Sequence, residues 1–129
     1  MNQTAYTCVC CGFRTLPEPV GSYEICPVCF WEDDLVQLAF PNMNGGANKV
    51  SLIEGQTNFM AHGVCEPAMK KHVRPATRDE PRDPTWTPYN SSEHRGLDSS
   101  SKSDSALWDK VQDCSPNLYY WRANFWRGL

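Results

Sequence analysis

Two pairs of cysteines at C-x-x-C spacing constrain the fold of this chain more than any other feature. Cys8 and Cys11 lie in YTCVCCGF, and Cys26 and Cys29 lie in EICPVCFWEDD. A tight turn of this kind points both of its sulfurs the same way, and four thiolates satisfy the tetrahedral coordination of structural zinc. Fourteen residues separate Cys11 from Cys26, which a short hairpin can span. The spacing therefore predicts one zinc ion bound by Cys8, Cys11, Cys26 and Cys29.

Four thiolates around one zinc ion leave no open coordination position, so the predicted site holds structure and does not activate water. A segment of roughly thirty residues cannot bury enough apolar surface to fold alone, and a bound metal replaces the missing core. We therefore expect the zinc to be structural.

Three further cysteines have no partner at motif spacing: Cys10, Cys65 and Cys114. The total of seven is odd, and the N-terminal sequence lacks the pattern of a secretory signal, so we expect no disulfide framework and a cytoplasmic location. No apolar run approaches the roughly 18 residues of a membrane span. Cys10 lies between two predicted ligands and is expected to be a packed thiol, with a spare ligand or a redox group as the alternative.

Turn-forming residues between the two cysteine pairs predict a β-hairpin. The β-prone stretches FRTL (13–16) and SYEI (22–25) flank PEPVG, whose prolines and glycine favour a chain reversal. We therefore predict that residues 13–16 and 22–25 pair with each other.

A helix is predicted at about 52–62. Ser51 and Glu54 match the capping box that starts helices, and Gly63 suits the position just past a helix end. Gly55 inside this helix costs about 1 kcal/mol relative to alanine, so tertiary packing has to compensate for it.

Composition divides the chain into three parts. We predict a cysteine-rich domain at 1–75 and a proline- and serine-rich linker or irregular loop at 76–105, where only four of thirty residues are apolar. The aromatic-rich segment 106–129 is predicted to be helical, with Ser115 at its N-cap, and to pack on the domain or on a partner. The expected fold class is α+β, a small zinc ribbon followed by a capped helix.

The two halves of the chain differ in charge. Residues 1–65 carry two basic and six acidic side chains, whereas residues 66–129 carry ten basic and nine acidic ones. An acidic surface fixed by a metal site could enter a basic cleft on another protein, and aromatic side chains could anchor it there. The stretch directly after the second cysteine pair therefore gives the predicted partner-binding residues, Trp31, Glu32, Asp33 and Asp34. The alternative is a solvated turn in which Trp31 packs into the ribbon.

The sequence resembles the bacterial cysteine-rich CPCC family over about residues 5–75. The resemblance runs through YTCVCCGFRTLP, GSYEICPVCFWEDD, GGANKVSLIEGQTNF and HVRP. Val9 stands where that family has proline, a change that touches neither predicted ligand of the first pair. The resemblance implies a small protein that looks like a zinc ribbon. Because some family members are encoded beside toxin genes, it also implies an immunity role, with a toxin domain encoded nearby as the partner.

We expect a non-catalytic protein-binding module, specifically an immunity protein that neutralises a toxin by direct binding, and not an enzyme. One alternative is a nucleic-acid-binding zinc ribbon, but its only basic cluster would be KKHVR (70–74) on a net acidic chain. A second alternative is a thiol redox enzyme that uses Cys10. A reactive thiolate needs electropositive surroundings, which the neighbouring acidic residues do not provide.

Overall fold

A short antiparallel hairpin surrounds the first cysteine pair. Strand β1 (Tyr6–Thr7) pairs with strand β2 (Arg14–Leu16), and Tyr6 lies opposite Leu16. The hairpin thus positions Cys8 and Cys11 at its turn.

The computed structural model describes residues 5–94, 96–98, 100–110 and 119–122.

The predicted pairing of residues 13–16 with 22–25 is wrong. Residues 22–25 form no strand, and they bond instead to the chain after the second cysteine pair: Ile25 bridges Glu32, and the Asp33 N–H donates to the Glu24 carbonyl at 2.9 Å. The reason is that each C-x-x-C turn reverses the chain by itself, so its own two arms pair.

The two cysteine turns have equivalent backbone geometry, and we call them the first and second knuckles. The Gly12 N–H donates to the Cys8 carbonyl, and the Phe30 N–H donates to the Cys26 carbonyl, both at 2.8 Å. Gly12 and Phe30 both adopt left-handed backbone angles, with φ of 82° and 73°. Glycine adopts this conformation readily, so Phe30 is the strained member of the pair.

Helix α1 (Leu35–Ala39) follows the second knuckle and was not predicted from sequence. Asp34 caps it by accepting from the Val36 N–H at 2.8 Å. The buried Gln37 side chain then donates to the carbonyls of three residues in the following loop: Met43, Asn48 and Val50. These bonds hold the loop between α1 and the next helix.

Helix α2 (Leu52–His62) confirms the predicted helix and its bounds. Ser51 accepts from the Glu54 N–H at 3.1 Å, and Gly63 ends the helix with φ of 77°. Gly55 faces the core, where a Cβ atom would lie 3.1 Å from a ring carbon of Trp31. The close contact between α2 and the Trp31 ring therefore explains why position 55 is a glycine. A 3-10 helix at Pro67–His72 follows.

Residues 76–98 cross over the hairpin without forming a helix or an extended strand in their described part. The Asp83 N–H donates to the Gly12 carbonyl at 2.7 Å, and the Arg14 N–H donates to the Pro81 carbonyl at 2.9 Å. The Thr7 hydroxyl donates to the buried Asp83 carboxylate at 2.7 Å. The irregular segment is therefore held by hydrogen bonds to the first knuckle and its strands. The division of the chain into three domains stays a prediction.

Part of the C-terminal segment is described. Helix α3 (Lys102–Lys110) places Trp108 edge-on to Phe40 with ring centroids 5.9 Å apart. Tyr119 and Tyr120 are buried in the main core but lie in a turn, where the sequence predicts a helix. The remainder of that predicted helix, with its cap at Ser115, lies outside the described residues.

The main core forms around the four knuckle cysteines. Its largest buried side chains include Trp31, Leu16, Leu38 and Leu52. None of the helices in the described ranges has the length and hydropathy needed to cross a membrane.

Replacing Gly55 with alanine tests the helix–ring contact. Helix propensity alone would raise the free energy of unfolding by about 1 kcal/mol. We expect a net decrease of roughly 1 kcal/mol, because the added methyl group overpacks a fully buried ring. The measurement is urea unfolding of the metal-loaded protein. Thr57→Ala, at an exposed position of α2, is the control, and a stabilised Gly55→Ala variant would contradict the packing argument.

Candidate metal centre

The two knuckles bring their four cysteines together. The sulfur atoms of Cys8, Cys11, Cys26 and Cys29 all lie within 4.8 Å of one another. Each of the four residues has 0% of its surface exposed. The cysteines that the sequence predicts as ligands therefore form one closed, buried cluster.

Two sulfur–sulfur distances match those expected around a tetrahedral metal ion. Cys8 Sγ lies 3.6 Å from Cys29 Sγ, and Cys11 Sγ lies 3.8 Å from Cys26 Sγ. Four zinc–sulfur bonds of about 2.3 Å place the sulfurs about 3.8 Å apart at the corners of a tetrahedron. The donor set and its dimensions thus suit a metal ion of this kind.

Polar groups of the fold point at the sulfurs of the second knuckle. The Val28 N–H donates to Cys26 Sγ at 3.4 Å, and the Trp31 N–H donates to Cys29 Sγ at 3.5 Å. The Thr15 hydroxyl lies 3.0 Å from Cys26 Sγ. Donors of this kind stabilise negative charge on sulfur, so the backbone is arranged for thiolates.

The thiols in the cluster interact strongly with one another. Burial raises the pKa of Cys8 and of Cys29, because a buried thiolate loses its hydration. A hydrogen bond to Cys26 raises the pKa of Cys11, and the same contact lowers the pKa of Cys26. Cysteine binds metal as the thiolate, so binding of an ion here would release protons from the cluster.

Side chains from the crossing segment hold the first knuckle in place. The Arg82 guanidinium donates twice to the Cys11 carbonyl, at 2.9 and 3.2 Å. The Trp86 indole N–H donates to the Val9 carbonyl at 2.9 Å. Gly12 has to be a glycine here, since a Cβ atom would lie 2.5 Å from the Trp86 ring. No sequence signal identifies these supporting residues, because they have no fixed spacing from the cysteines they support.

The other cysteines lie beside the cluster or outside the described residues. Cys10 and Cys65 are both buried, and burial raises the pKa of Cys65. The Cys65 N–H donates to the Cys29 carbonyl at 2.8 Å. Cys114 falls outside the described residues. Burial of Cys10 agrees with the packed thiol expected from sequence.

The predicted partner-binding stretch does not form the exposed acidic patch expected from sequence. Trp31, Asp33 and Asp34 are buried, with 0%, 1% and 5% of their surfaces exposed, and Glu32 is half-buried. The Trp31 ring packs against Gly55, and its indole N–H has no acceptor among the residues that the structure describes. Within the described part of the chain, the Trp31 side chain is therefore held by packing.

The two aspartates bind backbone groups. Asp34 caps α1 and also accepts from the Ala47 N–H at 2.9 Å. Asp33 Oδ2 accepts from the N–H groups of Gly21 and Ser22 at 2.6 and 2.9 Å. Burial raises the pKa of Asp33, and these two bonds oppose that shift. Both carboxylates thus organise loops and do not face solvent.

Comparison with known proteins agrees with this arrangement. A family model described as "Cysteine-rich CPCC" matches residues 6–80, which span both knuckles, α1 and α2. No curated protein matches the chain.

A metal site at the four clustered cysteines predicts different outcomes for the replacement of Cys26 and of Cys10. Cys26→Ser should abolish metal binding and cooperative unfolding, because it removes one of four ligands from a fold organised around the cluster. Cys10→Ser should retain one metal ion per chain, since Cys10 is not among the four clustered cysteines. Elemental analysis and circular dichroism measure both properties. A folded Cys26→Ser protein would contradict this account.

Replacing Asp33 tests its role as a buried acceptor. Asp33→Ala should lower the free energy of unfolding by about 1–3 kcal/mol, because it leaves the Gly21 and Ser22 N–H groups unpaired. Asp33→Asn keeps an acceptor oxygen without the buried charge and should lose less than about 1 kcal/mol. Urea unfolding measures both values, with Asp79→Ala at an exposed position as the control. Equal losses of unfolding free energy in the two Asp33 variants would refute the role of Asp33 as a buried acceptor.

Proposed function

The chain belongs to the cysteine-rich CPCC family, and from this premise we propose that it is a zinc-stabilised, non-catalytic protein-binding module that neutralises a bacterial toxin. The observation that carries the structural part of this proposal is the complete burial of all four clustered cysteines. Four thiolates fill the coordination sphere of zinc, and a site closed to solvent has no position for a substrate.

Zinc is the proposed ion because four buried cysteines at these distances match its structural sites. With four thiolate ligands the site would carry a charge of about −2. The N–H donors of the second knuckle and the Arg82 guanidinium at the Cys11 carbonyl would offset that charge.

A non-catalytic role is also supported by the surroundings of the remaining thiols. Cys10 is buried against α2, where its sulfur lies 3.4 Å from the position of a Cβ atom on Gly55. Reactive cysteines are solvent-accessible and lie in electropositive surroundings. Burial therefore weighs against the redox alternative.

The proposed partner surface is the exposed loop before the second knuckle. Tyr23 and Ile25 are 57% and 48% exposed, and Glu24 between them and Glu18 earlier in the loop are also exposed. We call these four residues the knuckle tip. None of its carboxylates forms an ion pair with another described residue. Exposed apolar side chains among free carboxylates suit a basic protein surface.

The knuckle tip is rigidly supported. The Tyr23 N–H donates to the Asp33 carbonyl at 3.0 Å, and Ile25 bridges Glu32 directly before Cys26. Tyr23 adopts a left-handed φ of 63°, which is unfavourable for a residue with a side chain. A pre-organised surface binds with a smaller loss of conformational entropy. Toxins that act on nucleic acids carry basic clefts, and electrostatic attraction would speed association with one.

Co-expression with the product of the neighbouring gene tests the proposed function. We expect a stable complex and protection of the host cell. Tyr23→Ser and Glu24→Lys should each weaken the complex at least about tenfold, because they remove an anchor and reverse a charge at the proposed contact. Calorimetry measures the Kd of each variant.

Met60→Ser is the matched control, since Met60 is 61% exposed but lies on α2. It should leave the affinity unchanged. If co-expression gives no protection and no complex with the neighbouring gene product, toxin neutralisation is refuted. A complex that tolerates both tip variants would refute the assigned surface.

A further inference from the structure

An apolar groove lies on the side of the second knuckle where α2 ends. Its volume is about 400 Å³, within the range of about 300–1,000 Å³ that is usual for ligand-binding pockets. The walls include five apolar side chains from four parts of the chain: Phe13, Val28, Phe59, Val73 and Ala76. These five side chains give the groove an apolar lining.

The rear wall of the groove is an aromatic pair supported by the fold. Phe13 and Phe59 meet edge to face, with ring centroids 6.4 Å apart. The Arg82 guanidinium stacks over Phe13, 4.6 Å from its ring centroid. Both phenylalanines also pack against the metal-centred core. The wall is thus fixed by the same contacts that hold the first knuckle.

Basic side chains line one part of the groove, namely Lys70 and Arg74. The segment 67–78 carries four basic side chains and no acidic one, in contrast to the acidic first half of the chain. Arg74 is paired with both oxygens of Glu80, at 2.7 and 2.9 Å. Lys70 donates to the His62 carbonyl at the end of α2 and forms no ion pair within the described ranges.

We propose that this groove binds a segment of a partner protein in which a large apolar side chain is flanked by carboxylates. The apolar side chain enters between Phe59, Val28 and Ala76, where edge-to-face contact with an aromatic ring is possible. The flanking carboxylates face Lys70 and its neighbour Lys71. This site is separate from the knuckle tip and does not depend on toxin neutralisation.

The same observations favour a polypeptide over a nucleic acid. A phosphate backbone requires several unpaired cations along its path. Here Arg74 is already paired with Glu80, and Asp79 and Glu66 flank the basic segment. One anchoring side chain beside one or two carboxylates matches the groove, whereas a continuous run of phosphates does not.

The test uses the metal-loaded full chain and the acetylated, amidated hexapeptide Asp-Glu-Leu-Phe-Asp-Glu as the probe. We expect saturable binding with a Kd below about 1 mM. Amide chemical-shift changes should be centred on Phe59, Lys70, Val73 and Ala76. A peptide with alanine in place of its leucine and phenylalanine should bind at least about tenfold more weakly, because it lacks the anchor.

Two matched pairs of variants locate the site. Ala76→Leu should fill the groove and weaken binding at least about fivefold, whereas Ala68→Leu, at an exposed position of the 3-10 helix, should not. Lys70→Glu should weaken binding more than Lys71→Glu, since only Lys70 lines the groove. Unfolding curves verify that each variant folds. The amide chemical-shift changes that the peptide causes in the unmodified chain locate the site without any variant.

Four outcomes would overturn the proposal. The first is equal binding of the alanine peptide, and the second is equal binding of a peptide with lysines in place of its acidic residues. The third is displacement of the probe by single-stranded RNA at lower concentration than by unlabelled peptide, which would assign the groove to nucleic acid. The fourth is failure of the peptide to bind while the same resonances shift with protein concentration, which would assign the groove to a second copy of the chain.

Discussion

Four sulfur atoms from two separate turns converge within 4.8 Å at the centre of this molecule, and the rest of the structure depends on that contact. The two knuckles contribute equivalent turns, and residues such as Trp31, Leu16 and Leu52 form the core around them. Four thiols packed without a cation would either remain protonated or repel one another. A bound metal ion would remove this repulsion and join the two knuckles into one core.

Local sequence signals predicted local structure well. The C-x-x-C pairs identified the clustered cysteines, and Ser51 and Gly63 identified both ends of α2, because each of these signals acts within one turn of the chain. The hairpin was assigned to the wrong partner strand. β-propensity indicates that residues 13–16 can form a strand, but the knuckle's own reversal decides that they pair with β1.

The stretch after the second knuckle shows why acidic composition did not predict an acidic surface. A short aspartate side chain can accept from nearby backbone N–H groups, as Asp33 does for Gly21 and Asp34 does for Val36. Nothing in the composition separates such a buried acceptor from a solvated charge. The capping pattern before α1 was a usable signal for Asp34, but Asp33 bonds to residues more than ten positions earlier, beyond the reach of local patterns.

The irregular segment shows a different limit of composition. Residues 76–98 have too few apolar side chains to form a core of their own, as the sequence indicated, yet they are tied to the hairpin through Asp83, Arg82 and Trp86. These contacts are polar, and each of them satisfies a group on or beside the first knuckle. The Arg82 guanidinium stands out, because it places a positive charge at the Cys11 carbonyl and stacks on Phe13 as well. One side chain therefore contacts both the first knuckle and the aromatic wall of the groove.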